Sequence, residues 1–331
     1  MKIRFLGTLT FLALLASCVS KKESKLFTIH QGPAIGIDFK NVIVTNDTFN
    51  AVSFEYIYNG SGVGIGDFNN DGYQDIFFGG NQVSSELYLN KGDLKFENIT
   101  LAAGVTTQRW VTGVSLVDIN QDGLLDIYLA VAGKVPANQR KNLLFVNQGI
   151  HDGVPTFNEL SHEYGLDDDR YGTMAAFFDY DKDGDPDMYL VNNWLEEYNR
   201  NNLRPKRIHG EAESTDRFYR NNGDNTFSNV SEEVGITIEG YGLGVAICDI
   251  NDDSFPDVYV SNDFMSNDLI WVNQGDGTFV NRASDYLKHQ THNGMGVDIA
   301  DFNNDAFRYP GSGYVAARAQ TSEVNDGRSK L

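Results

Sequence analysis

Apolar and polar residues alternate in short runs along this chain, and each run breaks at a cluster of aspartate, asparagine and glycine. GVGIGDF enters one such cluster from position 62 and DIFF leaves it; GVSLVDI and DIYL flank the next, from 113. TMAAFFD with DMYL, from 173, and GVAICDI with DVYV, from 244, repeat the arrangement. Period-two alternation over four to eight residues rich in β-branched and aromatic side chains predicts half-buried strands. A second pair of short runs follows each copy: LYLN and KFENI, LLFVN and TFNEL, RFYRN and TFSNV, LIWVN and TFVNR. Turn residues separate the members of each pair, which predicts hairpins.

Each copy thus holds four strands. The first aspartates of the copies are Asp67, Asp118, Asp179, Asp249 and, in an incomplete fifth copy, Asp301, spaced 51, 61, 70 and 52 residues apart. An isolated antiparallel sheet of this size cannot bury both faces, so neighbouring copies must stack. The prediction is an all-β fold, a β-propeller of four-stranded blades. Four full copies and the start of a fifth lie at the low end for a ring, which leaves closure open.

The two-part motif, D-x-[DN]-x-D-G-x-x-D with a following strand and then N-x-G-D-G-T-F, resembles the FG-GAP or VCBS repeat family, whose integrin-alpha-like repeats build propeller blades with calcium-binding acidic loops. The segment GIDFKNVIVTNDTFNAVSFEYIYNGSGVGIGDFNNDG further resembles lipid-anchored Bacteroidota members related to the cartilage acidic protein group. Calcium takes six to eight oxygens, and side chains at loop positions 1, 3, 5 and 9 with the carbonyl of position 7 would supply them. The resemblance therefore implies four ligand sets: Asp67, Asn69, Asp71, Asp75 with Tyr73; Asp118, Asn120, Asp122, Asp126 with Leu124; Asp179, Asp181, Asp183, Asp187 with Asp185; and Asp249, Asn251, Asp253, Asp257 with Phe255. The side chain of Asp185 is expected to point outward. Glycine at position 6 allows the sharp turn; Ser254 stands there in the fourth loop and weakens that site. Position 12 is Phe78, Leu129, Leu190 or Val260 rather than the glutamate of an EF-hand, which excludes that motif. The competing reading is a set of metal-free Asx turns.

Charge agrees with a cation partner. The net charge is −20 and the isoelectric point about 4.5, which opposes binding to nucleic acid or anionic lipid. Four calcium ions would add +8 and leave −12.

At the N-terminus, Lys2 and Arg4 precede the apolar run Phe5 to Ala16, the pattern of a signal peptide. Leu15-Ala16-Ser17-Cys18 resembles the bacterial lipobox, which implies cleavage before Cys18, lipidation of its thiol and attachment to a membrane, the outer membrane given Val19. An ordinary signal peptide with an incidental cysteine is the alternative. The expected organisation is signal peptide 1–17, tether 18–26, repeats 27–305 and an atypical tail 306–331. The tail carries four Lys/Arg and two Asp/Glu, a composition unlike the repeats, and suggests a truncated parent, a foreign end or a disordered tail. Cys248 is the other cysteine, so no disulfide framework exists; its apolar surroundings predict a buried thiol. Residues 27–60 are candidates for a closing strand.

No nucleophile elbow or metalloprotease motif occurs. The longest insertion, residues 192–216, combines aromatic and basic side chains on an acidic chain, and Trp194, Tyr198, Arg200 and Arg204 are candidate ligand-binding residues. A solvated insertion with Trp194 packed on the blade is the bland alternative. These observations lead to the expectation of a non-catalytic, calcium-stabilised binding or adhesion module of the bacterial cell envelope that presents its loops to a glycan or protein. The alternative is an exported polysaccharide-processing lyase or hydrolase on the same scaffold.

Overall fold

The computed structural model describes residues 26–194, 204–264, 266–290 and 293–299. Among the described residues, sixteen strands form four antiparallel four-stranded sheets, each in chain order. Blade 1 holds β1 (Val63–Gly66), β2 (Asp75–Phe78), β3 (Glu86–Asn90) and β4 (Phe96–Asn98). Blade 2 holds β5 (Val111–Val117), β6 (Asp126–Val131), β7 (Leu143–His151) and β8 (Val154–Glu159). Blade 3 holds β9 (Gly172–Phe178), β10 (Asp187–Asn192), β11 (Arg217–Asn221) and β12 (Phe227–Asn229), and blade 4 holds β13 (Gly242–Cys248), β14 (Asp257–Asn262), β15 (Leu269–Asn273) and β16 (Phe279–Asn281). The blades stack as a β-propeller.

Packing between blades follows from the alternation. Phe77, Leu87 and Leu89 of blade 1 face Val114, Ile127 and Leu129 of blade 2 in one buried cluster. Equivalent clusters lie between blades 2 and 3, around Met188 and Leu190, and between blades 3 and 4, around Phe218 and Trp271. Each fully buried aliphatic or aromatic side chain contributes about 1.5–3 kcal/mol, so the interfaces dominate over any single sheet. The inner strands approach so closely that a Cβ on Gly113 would lie 2.5 Å from the carbonyl oxygen of Thr173. Hydroxyls add stitches: Thr112 Oγ1 donates to Gly172 O at 2.7 Å, Ser115 Oγ to Ala175 O at 2.6 Å and Thr173 Oγ1 to Gly242 O at 2.9 Å.

The two ends of the array differ. Val297 and Ile299, from the start of the fifth copy, pack on the far side of blade 4 beside Ile250, Tyr259 and Ile270. On blade 1, Val63 and Ile65 occupy the positions that Val114 and Leu116 use to pack on a preceding blade, and they are 52% and 60% exposed. Residues 36–44 cover the outer part of that face without joining a sheet. Phe39 stacks on Phe78 at 5.0 Å, Tyr88 donates its hydroxyl to Asp38 at 2.8 Å, and Asn41 Nδ2 donates to Asn81 Oδ1 at 2.6 Å. The candidate closing strand is therefore an irregular brace. Cys248 is half-buried, with its thiol pushed up to about 12, chiefly by burial.

Candidate metal loops and central cavity

The acidic loops connect the first and second strands of each blade, and their hydrogen bonds repeat. The first aspartate caps the turn: Asp67 accepts from the backbone N–H groups of Asp71 and Gly72 at 3.0 and 2.8 Å. Asp118 does the same for Asp122 and Gly123, and Asp249 for Asp253 and Ser254. Position 6 has positive φ in every loop, 87°, 84° and 100° at Gly72, Gly123 and Gly184 and 72° at Ser254. The backbone thus demands this conformation even where the residue is not glycine.

The ninth residue lies deeper than its neighbours. Asp75, Asp126, Asp187 and Asp257 have no exposed surface, and each uses both carboxylate oxygens on backbone N–H groups. One oxygen accepts from loop position 2 (Phe68, Ile119, Tyr180, Ile250), the other from an asparagine of the third strand (Asn90, Asn147, Asn221, Asn273), at 2.7–3.2 Å. Burial pushes these acids up, to about 6 for Asp75, Asp126 and Asp257 and about 7 for Asp187; the N–H groups oppose the shift and the other loop carboxylates add to it. The ninth aspartate therefore ties the loop to the third strand.

The loops differ in how far their carboxylates converge. Among the described residues, Asp179, Asp181 and Asp187 bring ligand oxygens within 4.8 Å of one another. Asp179 accepts from Gly184 N at 3.0 Å through one oxygen, while its Oδ1 is buried without a partner. Asp183 accepts from the N–H of Asp185, and Asp181 is held above the usual carboxylate range by burial and then by Asp183. In the other three loops asparagine replaces the second aspartate and turns its amide onto position 5: Asn69 to Asp71 at 3.0 Å, Asn120 to Asp122 at 3.0 Å and Asn251 to Asp253 at 2.7 Å. Asn69 Oδ1 is buried without a partner. An all-oxygen donor set with orphaned oxygens in the first and third loops fits a hard cation, the third loop most closely. Tyr73, Leu124 and Phe255 stand at the seventh position, each with its N–H donated to the fifth-position aspartate.

Asp185 differs from the expected outward orientation. Its Oδ1 is buried without a partner, its other oxygen lies beside Gly223 on the third-to-fourth-strand turn of the same blade, and it is pushed up to about 6 by burial and then by Asp183.

A cavity of about 840 Å³ opens at the opposite ends of the inner strands. Thr112 and Thr173 line it near the starts of β5 and β9, whereas Asp118 and Asp179 follow the last residues of those strands. Six residue steps of about 3.3 Å each separate the cavity from the acidic loops by roughly 20 Å. Residues 52–60 cross its mouth. Tyr56 anchors that crossing: its hydroxyl donates to Asp263 at 3.0 Å and accepts from Asn193 Nδ2 at 3.2 Å. Burial, then the Asp263 charge, holds this phenol above its ordinary range. Phe49 and Phe54 pack edge-on against Trp110 at 5.6 and 5.3 Å, and Lys134 Nζ donates to Ser53 O at 3.3 Å.

Trp194 lines this cavity, stacked on Tyr171 with ring centroids 5.7 Å apart and 17° between planes. Arg140 covers the Tyr171 ring at 4.0 Å. Arg204 does a different job from the one expected: its guanidinium makes a two-pronged ion pair with Glu239 at 2.7 and 2.8 Å, and Glu239 also accepts from Arg207 N. An almost buried carboxylate claims the arginine because an unpaired charge there is costly. Tyr198, Arg200, Cys18 and the tail 306–331 lie outside the described residues.

Sequence reasoning did not select Tyr56, Trp110 or Tyr171, while Asn193 lies within the insertion 192–216 that it did point to. A signal existed: Trp110, Tyr171 and Tyr241 each stand eight positions before the first aspartate of their copy. The aromatic run from Phe49 to Tyr58 before the first copy was a second one.

Residues 67–129, 209–260 and 249–307 match the model of the FG-GAP-like repeat family. Human cartilage acidic protein 1 is 29% identical over 200 residues, 58% of this chain and 28% of that protein; the Mus musculus protein is 28% identical over 200 residues, 58% and 29%. The chain thus spans under a third of these curated relatives. Among solved structures, an Agrocybe aegerita lectin described as recognising non-reducing terminal N-acetylglucosamine aligns with a TM-score of 0.38 and 19% identity, covering 66% of this chain and 50% of that one. The V. cholerae biofilm matrix protein Bap1 aligns with a TM-score of 0.29 and 13% identity, covering 67% and 39%. The chain is a propeller that carries FG-GAP-like repeats and has weak homology to cartilage acidic protein 1.

Proposed function

We propose that this protein is a non-catalytic binding module of the bacterial cell envelope, with calcium in its acidic loops and a glycan or protein ligand in the central cavity. The observation that carries the reading is the cavity itself. It has the size of a small-ligand site, aromatic walls from blades 2 and 3 and the segment before the first repeat, and a position about 20 Å from the acidic loops, so the two ends of the propeller divide the work. In the third loop Asp179, Asp181, Asp183 and Asp187 would hold a cation, with the corresponding residues in the other three. Bound calcium would neutralise the clustered carboxylates and so stabilise the loops that join the inner two strands of each blade. The lipobox-like sequence at Cys18 supports an envelope location.

The competing reading is a polysaccharide-processing enzyme. The described ionisable side chains on the cavity wall are Glu55, Lys134, Tyr56, Tyr58 and Tyr171, and turnover of an acidic polysaccharide would favour that reading over binding alone. The direct test is calorimetric calcium titration of chelator-stripped protein, with melting followed on the same samples. Binding at about four sites and a raised melting temperature are expected; a folded protein that binds no calcium and melts unchanged refutes the metal part. Loss of ligand binding in Trp194→Ala is expected for the cavity, and unchanged binding refutes it.

A further inference from the structure

Two polar atoms on the cavity wall lack partners among the described residues. They are Asn193 Oδ1 and Trp194 Nε1, both buried. Asn193 is 5% exposed and already uses its Nδ2 on Tyr56, so its unused atom is an acceptor; the indole N–H is a donor. A buried polar group without a partner costs about 1–3 kcal/mol, and here one acceptor and one donor sit on consecutive residues.

The described cavity wall carries one acidic and one basic side chain, with no excess of positive charge. Glu55 and Lys134 are the charged side chains of the wall, and Lys134 is held to the Ser53 carbonyl. Arg140 lies flat on Tyr171 and donates to the carbonyls of Val135 and Asp169. Arg204 is paired with Glu239. The protein as a whole is at −20, a field that repels anions. A carboxylate or sulfate group can only accept hydrogen bonds, so placed between these two atoms it would satisfy Trp194 Nε1 and leave Asn193 Oδ1 unpaired.

Building on the reading of this cavity as a binding site, we infer that its ligand is a neutral, hydroxyl-bearing sugar rather than an anionic glycan. A sugar hydroxyl both donates and accepts, which matches the Asn193 and Trp194 pair. The C–H face of a pyranose suits aromatic walls such as Tyr58, which is 66% exposed at the mouth. Ligand entry would shift the wall side chains enough to uncover the two orphaned atoms.

Two of the three tryptophans, Trp110 and Trp194, line the cavity, so intrinsic fluorescence reports its occupation. The full chain, with calcium present, would be titrated with three panels: neutral di- to tetrasaccharides of glucose, galactose, mannose and N-acetylhexosamines; uronic-acid oligomers of the same length; and short unphosphorylated peptides. Neutral sugars should perturb the fluorescence and the other panels should not. Trp194→Phe keeps the ring stack and removes the N–H, and should weaken neutral-sugar binding about tenfold, the loss expected for one hydrogen bond. Tyr58→Ala, at an exposed position that tolerates truncation, should weaken it as well, with melting unchanged. Binding of uronic acids or peptides in place of neutral sugars overturns the inference and leaves the cavity reading standing, provided that binding is lost in Tyr58→Ala. Neutral-sugar binding that ignores both variants overturns the inference and the cavity reading together. No binding by any panel overturns the inference, while the cavity reading then rests on the Trp194→Ala test with whatever larger ligand is found.

Discussion

Removing calcium should invert the pH dependence of stability. In the metal-free fold Asp75, Asp126 and Asp257 are pushed from 3.8 up to about 6 and Asp187 to about 7, because burial without a cation disfavours their charge. In the unfolded chain the same groups return to the ordinary value. Between pH 4 and 7 the folded state therefore binds more protons than the unfolded one, and stability must rise as pH falls. Each carboxylate that takes up a proton contributes about 1.4 kcal/mol per pH unit. All four together would reach about 5 kcal/mol per pH unit at the steepest, and even half of that moves a melting temperature by many degrees. The stabilisation is complete below the unfolded value and lost as pH rises through the folded one. Bound calcium would reverse the sign, because it would favour the ionised form: stability would then be present at neutral pH and lost on acidification. The assay is thermal melting from pH 7.5 to 4.5 in chelator and in excess calcium. Asp187→Asn serves as a control for general charge repulsion and should flatten the chelated curve by about one proton's worth. A chelated protein whose melting temperature is flat or falls between pH 7 and 5 refutes the reasoning.

Three further outcomes are expected. Ser254→Gly should stabilise the protein by about 0.5–1 kcal/mol in urea unfolding, because φ is 72° at that position and the left-handed strain outweighs the entropy glycine adds to the unfolded chain. Arg204→Ala should destabilise by about 3 kcal/mol, by stranding the nearly buried Glu239 carboxylate, and leave ligand affinity unchanged in a binding titration. Gly113→Val should prevent blades 2 and 3 from seating, since a Cβ there would meet the Thr173 carbonyl at 2.5 Å; circular dichroism would report a loss of more than about 3 kcal/mol or no folded protein.

The repeating unit was legible because its signals are local. Alternation with period two marks each strand, and the Asp/Asn/Gly spacing marks the turn that joins the first two strands, so the four complete copies and the strand order within each follow from the chain alone, whereas blade number and closure do not. The loop aspartates could be nominated for the same reason. Their different fates could not: Asp187 lies with both oxygens on backbone N–H groups, and Asp185 turns inward beside Gly223, because burial depends on the third strand and its hairpin folding back over the loop. Charge misled the assignment of Arg204, since its partner Glu239 lies 35 residues away in sequence and meets it only in the folded chain. The cavity had only a partial local signature: an aromatic residue eight positions before the first aspartate of a copy marks Trp110 and Tyr171, but not that they meet. Trp110 comes from blade 2, Tyr171 and Asn193 from blade 3 and Tyr56 from the segment before the first repeat. The sequence by itself determined the strands, the turns and the acidic loops, which depend on neighbours a few residues apart. Only the tertiary structure decided which side chains share a cavity and which charges are paired, because those contacts exist only after blades 50 or more residues apart have stacked.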